Sequence, residues 1–426
     1  MVRTQRLQLL NPLKHISAVY MHIKWSLAMR KAFNGRLLLA LAACYLVISI
    51  NYGVRYTYAL LAPEMMSCLS FSNQDLGAMV SCFLLGFVLT SFVTGPLIDR
   101  WGAKRTIFAV FPLLGVGSIL VGMTFSTVDG ILFSFIAGVG ASAGWSPVMV
   151  WSQKLCPERR GLMVGIMETG TKLCPFLIAL AIPRIVPLFS WRGVWSLLGV
   201  MALLSILLVS VAHEPKAGGQ DLKVKKTRSA SMGVIFRDRC TWLVGISYAL
   251  SAFAIMVHAT FYKAYLSREL MMGLDVSTLL YGLMSFSGFI GALSLPTLSD
   301  RIGRRPLIIA CNAILVASLL GFLSSSSILG LTLLTVLIGV DLGAKWPLYA
   351  AFVKDLFDWE VAGRATALAG FFSGLGSLLA PYVGGLLADL CGSYKMSYTV
   401  GVAAGAIAIA LIVAVPRGRL RKPYVA

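Results

Sequence analysis

The chain has 426 residues, of which 58% are hydrophobic and 13% charged, with a mean hydropathy of +0.82. A soluble domain of this length carries far more polar surface, so the composition excludes a soluble enzyme and indicates a polytopic membrane protein. The net charge of +20 would suit nucleic acid if it lay on one face. Here it is parcelled out between apolar stretches, so it marks topology and no nucleic-acid partner is expected.

Residues 1–36 are basic and weakly apolar, with no small-residue cleavage site behind a suitable apolar run, and read as a cytoplasmic tail. A membrane-crossing helix needs about 20 mostly apolar residues. That rule predicts spans near 37–61, 74–98, 105–125, 128–153, 161–184 and 192–212, a first bundle over 37–213. Residues 214–239 are polar, basic and contain Gly and Ser, as a flexible cytoplasmic linker does. Six more spans follow near 240–266, 276–299, 306–325, 328–353, 362–388 and 395–415, a second bundle over 240–415 ahead of a basic tail at 416–426. Lys and Arg collect in the tails, the linker and the loops after spans 2, 4, 8 and 10, whereas Glu64, Asp75, Asp129 and Asp275 lie at the opposite ends. This asymmetry places both termini in the cytoplasm. The expected fold class is an all-α membrane protein of twelve transmembrane helices. The eight cysteines show neither CxxC nor metal-ligand spacing. Cys68 and Cys391 sit near outer ends, either unpaired or bridged to each other.

The two bundles repeat one another. GPLIDRWGAKR (95–105) closes span 2 and LPTLSDRIGRR (295–305) closes span 8, while Pro147 and Pro347 recur at the same separation. Spans in the same orientation make a parallel repeat. With Gly95, Asp99, Arg100, Gly102, Lys104 and Arg105 in one loop, and Asp300, Arg301, Gly303, Arg304 and Arg305 in the other, the chain resembles the major facilitator superfamily. Leu295 departs from the pattern where the second copy should open on glycine, and PERRG (157–161) fits the same family. The resemblance covers nearly everything after residue 36. It implies two six-helix repeats and transport by alternating access. It also implies that helices 1, 4, 7 and 10 and their neighbours 2, 5, 8 and 11 line a central cavity. An aspartate beside arginines at a helix end can form ion pairs that close the cytoplasmic face, which makes both loops candidate gates.

Charges inside spans are costly and mark function by default. They are Arg55 in span 1, Glu168 and Lys172 in span 5, Lys263 in span 7, and Asp341 and Lys345 in span 10, with His258 in span 7. Residues at i, i+3 and i+4 share a face. Asn51, Tyr52, Arg55 and Tyr58 therefore form one stripe, His258, Tyr262 and Tyr265 a second, and Asp341, Lys345 and Tyr349 a third. Trp145, Trp346 and Tyr349 lie beside the helix bends expected at Pro147 and Pro347. The candidate substrate contacts are Asn51, Tyr52, Arg55, Tyr58, Lys172, His258, Tyr262, Lys345, Trp346 and Tyr349. Glu168 and Asp341 are the candidate proton carriers. Lys263 either snorkels to the interface or joins the cavity. If each acid pairs with the lysine four residues on, Arg55 is left for the substrate's anion, since its planar donors match carboxylate or phosphate oxygens. The alternative is that Glu168 or Asp341 neutralises it.

Tyr52-x-Val54-Arg55-x-x-x-Ala59-Leu60-x-x-Pro63 is similar to the first helix of the organophosphate:phosphate antiporters. Those carriers also use an arginine on helix 7 and a lysine on helix 2, where this chain has about Ile255 and Ser91. A carboxylate is therefore expected ahead of a phosphate ester or inorganic phosphate. No Walker loop or hydrolytic constellation is present and only four histidines occur, so neither an enzyme nor a cofactor is expected. Transport must then draw on a gradient, with proton symport expected ahead of anion exchange. A transporter-like sensor remains the other reading. The expected setting is a monomer in a bacterial inner membrane, with lipid, a small organic anion and protons as partners.

Overall fold

The structure, a computed structural model, describes residues 35–214, 236–357 and 359–416; the tails read over 1–36 and 416–426 and the linker read over 214–239 lie almost wholly outside these ranges. Among the described residues eleven segments are long and apolar enough to cross a membrane. One of them, Pro157–Val211, holds 55 residues. At 1.5 Å per residue it would be about 80 Å long, far more than a hydrocarbon core of about 30 Å. Its helix Arg160–Val211 breaks at Ser190, where φ is 60° and ψ 171°. The segment is thus two crossings joined by a one-residue corner, and the total is twelve, the number predicted.

In chain order these are α1 (Gly35–Leu60), α2 (Asn73–Trp101), α3 (Ala103–Gly122), α4 (Thr127–Leu155), α5 (160–189), α6 (191–211), α7 (Arg239–Ala264), α8 (Leu274–Ile302), α9 (Arg304–Ser324), α10 (Ile328–Leu356), α11 (Trp359–Cys391) and α12 (Tyr394–Ala414). A capping box starts α2, with the Ser72 side chain accepting from the Asp75 N–H and the Asp75 carboxylate accepting from the Ser72 N–H. The corners α2–α3 and α8–α9 are each a single residue, Gly102 at φ 84° and Gly303 at φ 93°. Only glycine adopts that backbone without strain, which is the physical reason for this glycine in both copies of the repeat.

Residues 35, 214, 236 and 416 all lie at one end of the bundle, the linker end; the loops at 61–72 and 265–273 lie at the far end. Each six-helix half packs within itself, and two seams join them, α2 along α11 and α5 along α8, with α1 meeting α7. The seams are tight towards the far end. A methyl on Gly77 would sit 2.2 Å from the Pro381 carbonyl oxygen, so only glycine lets α2 and α11 approach this closely. Asp389 on α11 accepts from the backbone N–H groups of Asn73 (3.0 Å) and Gln74 (2.7 Å), capping the start of α2 from the other half. Lys263 on α7 is 1% exposed and donates to the Leu60 carbonyl and to Glu64 at 2.6 Å, again across halves. Towards the linker end the halves part. Gly95, Gly165 and Gly370 on α2, α5 and α11 face open space there. The molecule is sealed at the far end and open at the linker end.

Candidate functional site

The parting leaves a cavity of about 330 Å³ between the halves. Among the described residues three charged side chains line it: Arg55 from α1, and Glu168 and Lys172 from α5. Around them stand Tyr52, Tyr56, Trp145, Tyr248 and Trp346, with Ser373 and Ser377 on α11. Arg55 also borders a second, much smaller space that reaches Tyr281 and Pro381 under the far-end seal, so it stands at the closed end of the cavity. Its guanidinium carbon lies 5.8 Å from the Tyr52 ring centre, and NH2 donates to the Met256 sulfur at 3.9 Å. No carboxylate lies within 4.0 Å of it among the described residues. Lys172 Nζ lies 5.6 Å from the Tyr56 ring centre and 5.8 Å from that of Trp346, a cation held by aromatic faces from both halves. Glu168 forms no ion pair with it within 4.0 Å. The cavity can thus present two cationic donors to an anion and flat apolar faces to the rest of the molecule.

Trp145 reaches this wall because α4 is interrupted. A tight turn at Ser142–Gly144 leaves Trp145 as the cap of the next helical segment, two residues before Pro147, and its ring meets Tyr52 edge-on at 5.8 Å. Pro147 lacks the N–H that a continuous helix would use here.

Tyr52, Arg55, Glu168, Lys172 and Trp346 are brought together at the cavity. The other candidates are placed elsewhere. On α1 the main cavity is lined by Tyr52, Arg55 and Tyr56, so the cavity side lies part of a turn from the centre of the sequence stripe: Asn51 packs on Gly144, and Tyr58 packs on Trp195 at 4.6 Å and borders only the smaller second space beside Arg55. On α10 the cavity side is Gly343, Trp346 and Pro347. Asp341, Lys345 and Tyr349 lie about 150° round the helix at 100° per residue. They are buried in a polar cluster inside the second half, where Lys345 Nζ is 2.9 Å from Asp341 Oδ2 and 2.7 Å from Ser251 Oγ, and Asn312 Nδ2 donates to Tyr349 OH at 3.0 Å. His258 and Tyr262 pack with Phe322, and His258 also with Tyr398, in the interior of the same half. Lys263 is neither at the interface nor in the cavity. It lies on the side of α7 that carries Met256 towards Arg55, and it bridges the halves. Sequence reasoning missed Tyr56, Tyr248, Ser373 and Ser377; the first is one position from a named stripe, and the serines resemble ordinary small packing residues.

The two repeated loops occupy the linker end. Lys104 donates to the Ser210 and Ala212 carbonyls at the end of α6, and Arg305 to Val413 at the end of α12. Arg304 meets Asp300 at 3.2 Å and also Asp355. Glu214 accepts from the N–H groups of Ala103 and Lys104. These bonds all stay within one half, and Asp99 has no partner among the described residues. Cys68 and Cys391 are both free.

Residues 44–294 and 244–424 each match the sequence profile of the Major Facilitator Superfamily. The chain belongs to that family. It is similar to the hexuronate transporter of Bacillus subtilis (22% identical, covering 86% of this chain and 91% of the relative). The 4-hydroxybenzoate transporter PcaK of Acinetobacter baylyi is 23% identical over 86% of this chain and 89% of its own. Among solved structures, a bacterial homologue of the human lysosomal transporter Spinster, inward-facing and unoccupied, superposes with a TM-score of 0.75 at 15% identity, over 91% of this chain and 99% of that one. A D-xylose–proton symporter gives 0.68 at 17% identity, over 88% and 96%. This major facilitator protein is therefore an integral membrane secondary transporter and not an enzyme.

Proposed function

We propose that the chain carries a small organic anion of the carboxylate class by alternating access, with proton symport as its coupling. The observation that supports this is Arg55, a guanidinium at the closed end of the cavity with no carboxylate within 4.0 Å among the described residues. A cation inside a membrane span without a counter-ion is costly, and a substrate carboxylate supplies one through two parallel hydrogen bonds. Lys172 adds a second donor and the aromatic walls cover an apolar body. The related transporters named for hexuronate and 4-hydroxybenzoate both carry carboxylates, which agrees with this reading.

Glu168 is the carboxylate within reach of cavity water, whereas Asp341 is 1% exposed and held by Lys345. We therefore assign the coupling proton to Glu168. The linker end faces the cytoplasm of a bacterial inner membrane, so the state described is inward-open. In the opposite state the charges of 95–105 and 295–305 meet across halves as the Lys263–Glu64 seal parts. Uptake of labelled glucuronate, 4-hydroxybenzoate and lactate into proteoliposomes tests the anchor. Arg55→Ala should abolish uptake. Arg55→Lys, which keeps the charge and loses the fork, should lower it at least about tenfold. Full uptake by Arg55→Lys excludes the bidentate role, and full uptake by Arg55→Ala excludes the anion reading.

A further inference from the structure

The three cavity charges stand in a definite order. α1 and α5 run parallel and in contact, with Gly53 facing Cys174 and Gly170 facing Ser49. Both pairs have the same offset along the chain, so Glu168 is level with Val47, Lys172 with Asn51, and Arg55 with Phe176. At 1.5 Å per residue the levels are about 6 Å apart. From the open mouth inwards the order is Glu168, Lys172, Arg55: one negative charge, then two positive.

We propose that Glu168 restricts the cavity to monovalent anions. This rests on the reading of Arg55 and Lys172 as the anion's anchors. With Glu168 ionised the walls carry a net single positive charge, which one carboxylate neutralises. A bound carboxylate at the Arg55–Lys172 level leaves the remainder of the substrate pointing back to the mouth, past Glu168. A second carboxylate on a body one ring long is then brought beside a like charge in a confined space, where repulsion is poorly screened. Hydroxyls at the same place meet Glu168 as an acceptor. Selectivity of this kind is a difference of affinities produced by a repulsive element rather than by an added contact. The aromatic faces of Tyr52, Tyr56 and Trp346 accept either a ring or the apolar face of a sugar acid, so charge discriminates where shape does not.

The test uses matched pairs that differ by one carboxylate at the far end of the molecule: benzoate against terephthalate, and glucuronate against glucarate. Binding to the purified full-length protein is followed by thermal stabilisation at constant ionic strength and neutral pH. The wild type should bind at least one monoanion about tenfold or more tightly than its dianionic partner. Glu168→Gln should bring that ratio to within about threefold by tightening the dianion, whereas Glu168→Asp, which keeps the charge, should preserve the exclusion. Equal binding of both members by the wild type, or an unchanged ratio in a folded Glu168→Gln protein, overturns the role of Glu168. Arg55→Ala separates the two levels of the argument: wild-type binding in that variant overturns the anion anchor itself, as does a wild type stabilised by none of the four compounds.

Discussion

Two acid–lysine pairs with identical spacing end in opposite environments. Glu168 and Lys172 on α5 open onto the cavity and do not pair with each other within 4.0 Å. Asp341 and Lys345 on α10 lie 2.9 Å apart, each nearly inaccessible, with Ser251 and Asn312 completing the lysine's bonds. The first pair is held apart by what surrounds it, since Lys172 lies over Tyr56 and Trp346, from opposite halves. The second is held together by three helices of one half. Spacing along a helix therefore shows that two groups are able to meet; whether they do depends on which neighbours compete for the lysine. An open pair is free to serve a substrate, and a closed one serves the fold.

The largest effect should come from breaking the closed pair. Asp341→Asn leaves Lys345 buried without its counter-ion and should destabilise the protein by about 3–5 kcal/mol, because an unpaired buried charge keeps its desolvation cost. The double change Asp341→Asn with Lys345→Met should recover most of that loss in a thermal unfolding assay. If the single variant unfolds at the wild-type temperature, the closed pair is not a fold element and the contrast collapses.

Neutralising the open pair should do the reverse. Glu168→Gln should change stability by less than about 1 kcal/mol, since no ion pair is lost. It should abolish accumulation driven by a pH gradient and leave counterflow intact, as exchange does not require the empty carrier to release a proton. Accumulation that survives in Glu168→Gln would remove the coupling assignment and favour anion exchange.

A smaller effect is expected where a pair closes across halves. Lys263→Met leaves Glu64 with water on one side, so the far-end seal should weaken by a few-fold in its equilibrium. A cysteine placed at Met256, with the native cysteines replaced, should then react faster with an impermeant thiol reagent applied from the far side. An unchanged rate would show that the Asp389 cap and the Gly77 contact hold that end without Lys263.

The smallest shift in binding belongs to Asp99→Asn. This residue is at the linker end, away from the substrate cavity, and has no partner among the described residues. Calorimetry should give an affinity within about twofold of wild type, while uptake falls at least about fivefold because the opposite state loses a cross-half contact. A parallel loss of both would place Asp99 in the pocket.

The crossings, the repeat, the two corner glycines and Arg55 were legible in the amino-acid sequence. Each depends on local chemistry: the run of apolar residues that a bilayer demands, a positive φ that glycine alone takes without strain, and the rarity of a charge in such a run. The rotation of each helix about its own axis was not legible in the same way. In a soluble helix an apolar stripe reveals the inward side; in these spans the lipid-facing and the packed sides are both apolar, and the stripe disappears. Polar stripes were then the only guide, and they marked the cavity on α5, missed it by part of a turn on α1, and marked the half's own interior on α7 and α10. Tertiary packing decided that Tyr56 and Tyr248 face the cavity, that His258 does not, and that Lys263 reaches Glu64 across the seam. Those outcomes depend on which helices pack side by side, a relation between residues some two hundred positions apart that no local period encodes.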